Sequence, residues 1–278
     1  MPGFPDDLAP VVALDGDPGC GLLLVCDHAR NALPPEVGTL GLPAEAFRRH
    51  IAYDIGAEAL VRELSHRLGA PAVMAGYSRL LIDPNRGEDD PTLVMGLSDG
   101  QVVPGNHPLA SRERAARIER YHRPYHGAID AALDAGIAAG VRPLVFSVHS
   151  FTPAWKGAPR PWHATMLYDT DDRLARLVVE GLRADPAFAP AVAEQGAERT
   201  FALNEPYDGA LRNDTLYRHC TRRGLSSGLI EVRQDLLGAE DGAAFWADRL
   251  VPLLQRANED PTFHEPREIA SRTDRRTR

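Results

Sequence analysis

Cysteine is scarce: Cys20, Cys26 and Cys220 are the only three in 278 residues. They are too few and too scattered for a disulfide framework or a Cys-rich zinc site. A basic surplus is missing as well. The formal charge of −8 makes neither nucleic acid nor an anionic membrane a natural partner. No stretch approaches the ~20 apolar residues that cross a bilayer. The opening MPGFPDDLAP has neither the positive start nor the apolar run of a signal peptide, so a cytoplasmic protein is expected. Absent too are a G-x-S-x-G elbow, an H-E-x-x-H helix and a Cys-x-x-Cys pair. GDPGCG at 16–21 precedes a strand and does not lead from a strand into a helix, so it reads as a turn, not a phosphate loop. No internal repeat is found.

What is present is an ordinary globular composition, with 44% hydrophobic and 25% charged residues. Buried strands are predicted at 21–26, 71–75, 79–83, 143–148, 163–168 and 227–232, mostly as apolar runs without alternation. Helical spacing covers 44–68, 111–140, 171–184 and 241–257. Ser111 is the expected N-cap of the second helix, and Pro124 should kink it. This alternation predicts one α/β domain over 1–262, a three-layer α/β/α sandwich with a mostly parallel mixed sheet. The Gly-, Pro- and Asp-rich segment 86–108 is either a lid or disordered, and 263–278 is expected to be a disordered tail.

In such sheets ligands sit beyond the C-terminal strand ends. There the sequence delivers Asp27-His28, Asp83-Pro84-Asn85-Arg86, His149-Ser150, and Glu231 leading to Arg233. Histidines and a buried-strand glutamate at one sheet edge suit a hydrolytic zinc site with an open position for water.

The order of His28, DPNR, SVHS and GLIEV resembles the zinc carboxypeptidase and aspartoacylase superfamily. More narrowly, CDHARNALP, YDIGA, SRLLIDPNR, YHRPYH, SVHSF, NEPYDG and LIEVRQDLL resemble the N-formylglutamate amidohydrolase family across most of 21–256. The resemblance implies a zinc-exopeptidase-like, phosphorylase/hydrolase-like sheet and a cytoplasmic enzyme of amino-acid metabolism. It implies metal ligation by His28 and His149, with Zn2+ or another divalent ion, and Glu231 as general base. Arg79 would stabilise the oxyanion, Asn85 and Arg86 would grip a substrate carboxylate, and His126 would stand just behind the site or face the substrate. The substrate would be a small N-formyl or N-acyl acidic amino acid; a homo-oligomer stays open.

One departure stands out. The superfamily takes two ligands from His-x-x-Glu, but Asn31 occupies the third position after His28. Asp54, at a helix start near the same edge, is the candidate replacement, with Asp27 its rival. Each assignment has a plain structural alternative. Asp54 could cap its helix, Arg79 could pair with acidic residues 88–90, and Glu231 could pair with Arg233 or Arg222. His122 and His126 share a helix face and could form a metal pair, but Pro124 between them disturbs it. Tyr207 either donates a hydrogen bond to substrate or packs on its loop, and Cys26 reads as core. A carboxypeptidase-like or peptidoglycan amidase, and a non-catalytic carboxylate binder, are the alternative functions.

Overall fold

The computed structural model describes residues 8–274. Residues 1–7, where no signal peptide was read, and 275–278 of the expected tail lie outside the described residues. Among the described residues eleven strands form: β1 (Val11–Leu14), β2 (Leu22–Cys26), β3 (Ala72–Ala75), β4 (Leu97–Ser98), β5 (Gln101–Val102), β6 (Leu144–Phe151), β7 (Ala154–Trp155), β8 (Ala158–Pro159), β9 (Ala164–Leu167), β10 (Phe201–Leu203) and β11 (Ser227–Arg233). Seven make one sheet in the order β1-β3-β2-β6-β11-β9-β10, and β4-β5 and β7-β8 are small separate ribbons. The run β3-β2-β6-β11 is parallel, while β1 and β9 run against their neighbours β3 and β11. The sheet is therefore mixed and mostly parallel.

The missing alternation in β2 has a direct cause. All five of its side chains are buried. Leu22, Leu24 and Cys26 join one core, and Leu23 and Val25 join the other. Helices α1 (Ala57–Leu68), α4 (Arg173–Ala184) and α5 (Gly242–Glu259) cover the first face. Helix α3 (Arg123–Ala138) and the loops carrying Leu33, Tyr77 and Leu81 cover the second. Three layers result. No helix among the described residues is long and apolar enough to cross a membrane.

Three expectations need correction. Residues 79–83 are a buried turn, not a strand. Leu80, Leu81 and Ile82 are fully buried, but side chains meet the carbonyls of the first two: Asn106 Nδ2 donates to Leu80 O at 2.8 Å and Arg117 Nη1 to Leu81 O at 2.9 Å. A short apolar run cannot reveal whether a strand or a side chain meets its carbonyls. The helix read at 44–68 is a 3-10 segment (Ala44–Arg48), turns, and then α1, because Gly56 adopts φ +85° ahead of α1. The helix read at 111–140 is α2 (Ser111–Arg117), a π turn (Ile118–His122) and α3. Ser111 is not its cap. Pro124 falls in the first turn of α3, where a missing N–H costs least.

The segment 86–108 is held by its own ribbon and by buried Leu93, Val103 and Asn106. The expected disordered tail is fixed as far as it is described. The Arg272 backbone N–H bonds Asp169 Oδ1 at 3.0 Å, its guanidinium bonds Tyr168 O at 2.7 Å, and Ser271 is buried.

Candidate metal centre and its cavity

The parallel strands β2, β6 and β11 end at one edge, and their register fixes what meets there. Glu231 lies opposite His149 across β11 and β6. Asp27 and His28 follow the last residue of β2. Asp54 comes from the turn before α1, where its backbone N–H donates to His28 O at 2.9 Å. Gly56 lets the chain turn from there into the helix. A Cβ at this position would stand 2.7 Å from Leu237 Cγ, besides the left-handed φ. Asp54 does not cap α1 with its side chain. Its Oδ2 lies 3.3 Å from His28 Nδ1 and 2.8 Å from His149 Nδ1.

His28, Asp54 and His149 thus form a buried cluster whose potential ligand atoms lie within 4.8 Å of one another. The far nitrogen of each imidazole meets another carboxylate: His28 Nε2 is 2.7 Å from Asp83 Oδ1, and His149 Nε2 is 3.0 Å from Asp27 Oδ2. This is how metal-ligating histidines are oriented in general, with the outer carboxylate fixing the tautomer and raising basicity. Asp27 therefore stands behind His149, and the Tyr125 and Thr215 hydroxyls also donate to it.

The charge balance points the same way. Asp27, Asp54, Asp83 and Glu231 are buried with two imidazoles, and one half-buried guanidinium, that of Arg79, adjoins them. With neutral imidazoles the negative groups exceed the positive, and buried charge of one sign is costly until protons or a cation neutralise it. Burial raises the carboxyl of Asp83, but Arg79 and His28 overcome it and hold Asp83 well below the usual carboxylate range. Asp54 is likewise lowered far, by both histidines against its burial. Burial pushes His149 down, yet hydrogen bonds and charge from Asp27 and Asp54 lift it well above an ordinary imidazole. Two imidazoles and a carboxylate around one point, each oriented from behind, fit a divalent ion.

Glu231 behaves differently. Burial, moderated by His149, pushes it up to about 7. Its Oε2 is buried without a hydrogen-bond partner. Neither expected partner takes it, for Arg233 pairs with Asp235 at 2.8 Å and no ion pair to Arg222 forms among the described residues. Arg79 approaches Asp83 Oδ2 at 2.8 Å and Asp54 Oδ1 at 3.6 Å, not residues 88–90, and faces Glu231.

A cavity of about 520 Å3 opens beside the cluster, lined among others by His28, Asp54, Arg79, Asn85, Arg86, His149, Tyr207 and Glu231. The Asn85 backbone N–H donates to Asp83 Oδ1 at 2.9 Å, and Asn85 Oδ1 accepts from Thr215 N at 3.1 Å. The aspartate that orients His28 thereby also sets the segment carrying Arg86. Tyr207 is 43% exposed at the mouth, its ring 5.1 Å from the Arg160 guanidinium.

His126 is not brought to the cavity wall. It is buried between His122 and His219, with Nδ1 2.7 Å from His219 Nε2 and Nε2 3.0 Å from Pro84 O. His122 reaches Arg86 O at 2.9 Å in the same way. The two histidines meet the backbone of the Pro84–Arg86 segment from outside the cavity. Cys26 is buried core, as read. The residues the sequence reading left without a role are Asp83, Thr215 and Tyr125. The only available signal was Asp83 at the head of DPNR.

The model of the N-formylglutamate amidohydrolase family matches residues 20–237. A crystal structure of a gene product from Agrobacterium tumefaciens is similar, with a TM-score of 0.79 and 32% identity over 89% of this chain and 94% of the other. An N-formylglutamate amidohydrolase from Ralstonia eutropha is similar too, with a TM-score of 0.62 and 25% identity over 90% and 98%. No curated protein matches.

Proposed function

From the premise that this chain belongs to the N-formylglutamate amidohydrolase family, whose members hydrolyse carbon–nitrogen bonds other than peptide bonds, we propose a metal-dependent hydrolase of small N-formyl or N-acyl amino acids. His28, Asp54 and His149 would hold the ion, zinc or another divalent metal. When bound, such an ion acidifies a water toward about 7 and polarises a carbonyl.

The remaining steps belong to side chains. Glu231 accepts the proton of the attacking water, which its carboxylate form can do near neutral pH. Water oxygen bonds to the acyl carbon, and Arg79 stabilises the resulting oxyanion by charge. Glu231 returns the proton to the nitrogen as the carbon–nitrogen bond breaks, releasing the acid and a free amino acid. Arg86, with the Asn85 amide, anchors the substrate carboxylate through a guanidinium fork. Tyr207 donates a hydrogen bond from the rim.

One observation carries this reading: Glu231 is a buried carboxylate with an unpartnered oxygen, in register with His149 and lining the cavity. A structural glutamate would be paired. Glu231→Gln keeps shape and burial, so turnover of N-formyl amino acids should fall by about 10²–10⁴-fold while the metal stays bound. Undiminished turnover would remove Glu231 from the chemistry.

A further inference from the structure

The cavity has a second wall that the reaction does not use. Leu229 stands two residues before Glu231 on β11, so their side chains share a face about 7 Å apart along the strand. Leu167 of β9 pairs directly opposite Leu229. Leu216, from the helix Thr215–His219, and Leu211, from the loop before it, line the same cavity. The carboxylate anchor adjoins this wall, because Asn85 accepts the backbone N–H of Thr215, the residue before Leu216.

Resting on the hydrolase reading above, we propose that these leucines form the subsite for the substrate side chain. The subsite takes an apolar side chain of the size of leucine or methionine in preference to a second carboxylate.

Charge supports the choice. A dicarboxylate substrate needs two cations, one for each end. Of the two arginines lining the cavity, Arg79 is committed to Asp83 and Asp54. That leaves Arg86 as the one guanidinium on the lining without a carboxylate partner among the described residues. Near Leu211 and Leu216 the lining offers no cation: Asp208 is an anion paired with Arg272, and burial pushes the Asp214 carboxyl up to about 7. His50 also lines the cavity, but its Nε2 lies 3.3 Å from Asp99. Arg160 donates to Thr152 Oγ1 at 3.0 Å and is not part of the lining. A carboxylate against the leucines would lose its hydration and gain no partner. A branched or thioether chain would exchange water for apolar contact.

The test is kcat/KM of the zinc-supplemented protein for N-formyl-L-leucine, N-formyl-L-methionine and N-formyl-L-glutamate. The apolar pair should exceed glutamate at least tenfold, on the order expected for filling or leaving empty an apolar pocket. Leu211→Arg, at a half-buried loop position, should then swing the ratio toward glutamate by a similar factor. A wild-type preference for glutamate would overturn the subsite and leave the hydrolase reading standing. Calorimetry with Glu231→Gln keeps the two separable. If nothing is hydrolysed, tighter binding of N-formyl-L-leucine than of N-formyl-L-glutamate would still support the subsite, and equal or reversed binding would overturn it.

Discussion

An imidazole holds a metal ion well only when its second nitrogen is committed elsewhere. Asp83 provides that commitment for His28 at 2.7 Å, and Asp27 for His149 at 3.0 Å. Asp83→Asn keeps the shape but removes the charge. It should weaken metal binding by about 10–100-fold, read by zinc titration against a chelating dye. Unchanged affinity would show that Asp83 does not act through His28. At this scale the sequence was partly legible. His28, His149 and Glu231 could be singled out because strong polar groups end or interrupt apolar strands. Asp83 and Asp27 were visible but not separable in role, since an orienting carboxylate and a ligating one look alike until distances are known. His126 was placed by the resemblance behind the site or facing the substrate, and only distances tell which: it meets the Pro84 carbonyl from outside the cavity.

Among the elements, β2, β6 and β11 were readable because burial on both sides writes itself as unbroken apolar runs. Segment 79–83 has the same apolar content, but side chains of Asn106 and Arg117 from distant positions serve its carbonyls. No local pattern records that. The π turn between α2 and α3 leads into the buried His122–His126–His219 stack, which meets the Pro84 and Arg86 carbonyls. Burial first, then the neighbouring His122 and His219, holds His126 well below an ordinary imidazole. Between pH 7 and 5 the unfolded chain takes up more proton at this residue than the folded chain does. Stability therefore falls as pH is lowered, by about 2 kcal/mol for one histidine kept neutral. His126→Asn should be less stable at pH 7 by about 1–3 kcal/mol, from lost hydrogen bonds, yet lose less on acidification. Chemical denaturation of both proteins at the two pH values measures this. Equal acid losses would show that His126 titrates normally.

For the molecule as a whole, the sandwich followed from strands alternating with helices, whereas the anchored residues up to Asp274 did not. The tail's composition is polar, and its attachment depends on Asp169, Tyr168 and Asp208, brought near only by folding. A metal held by His28, Asp54 and His149 would couple to the fold at this scale. An ion at a thousand times its dissociation constant stabilises the folded state by about 4 kcal/mol. A chelator should therefore lower Tm by about 10 °C. His149→Ala should respond little to chelator, because one ligand is already gone.

The most direct test is elemental analysis of protein purified without chelator, beside His149→Ala. A centre built from His28, Asp54 and His149 predicts about one divalent ion per chain in the wild type and its loss in the variant. No metal in the wild type, even after incubation with zinc, would contradict the metal centre and leave a protein that binds carboxylates without hydrolysing them.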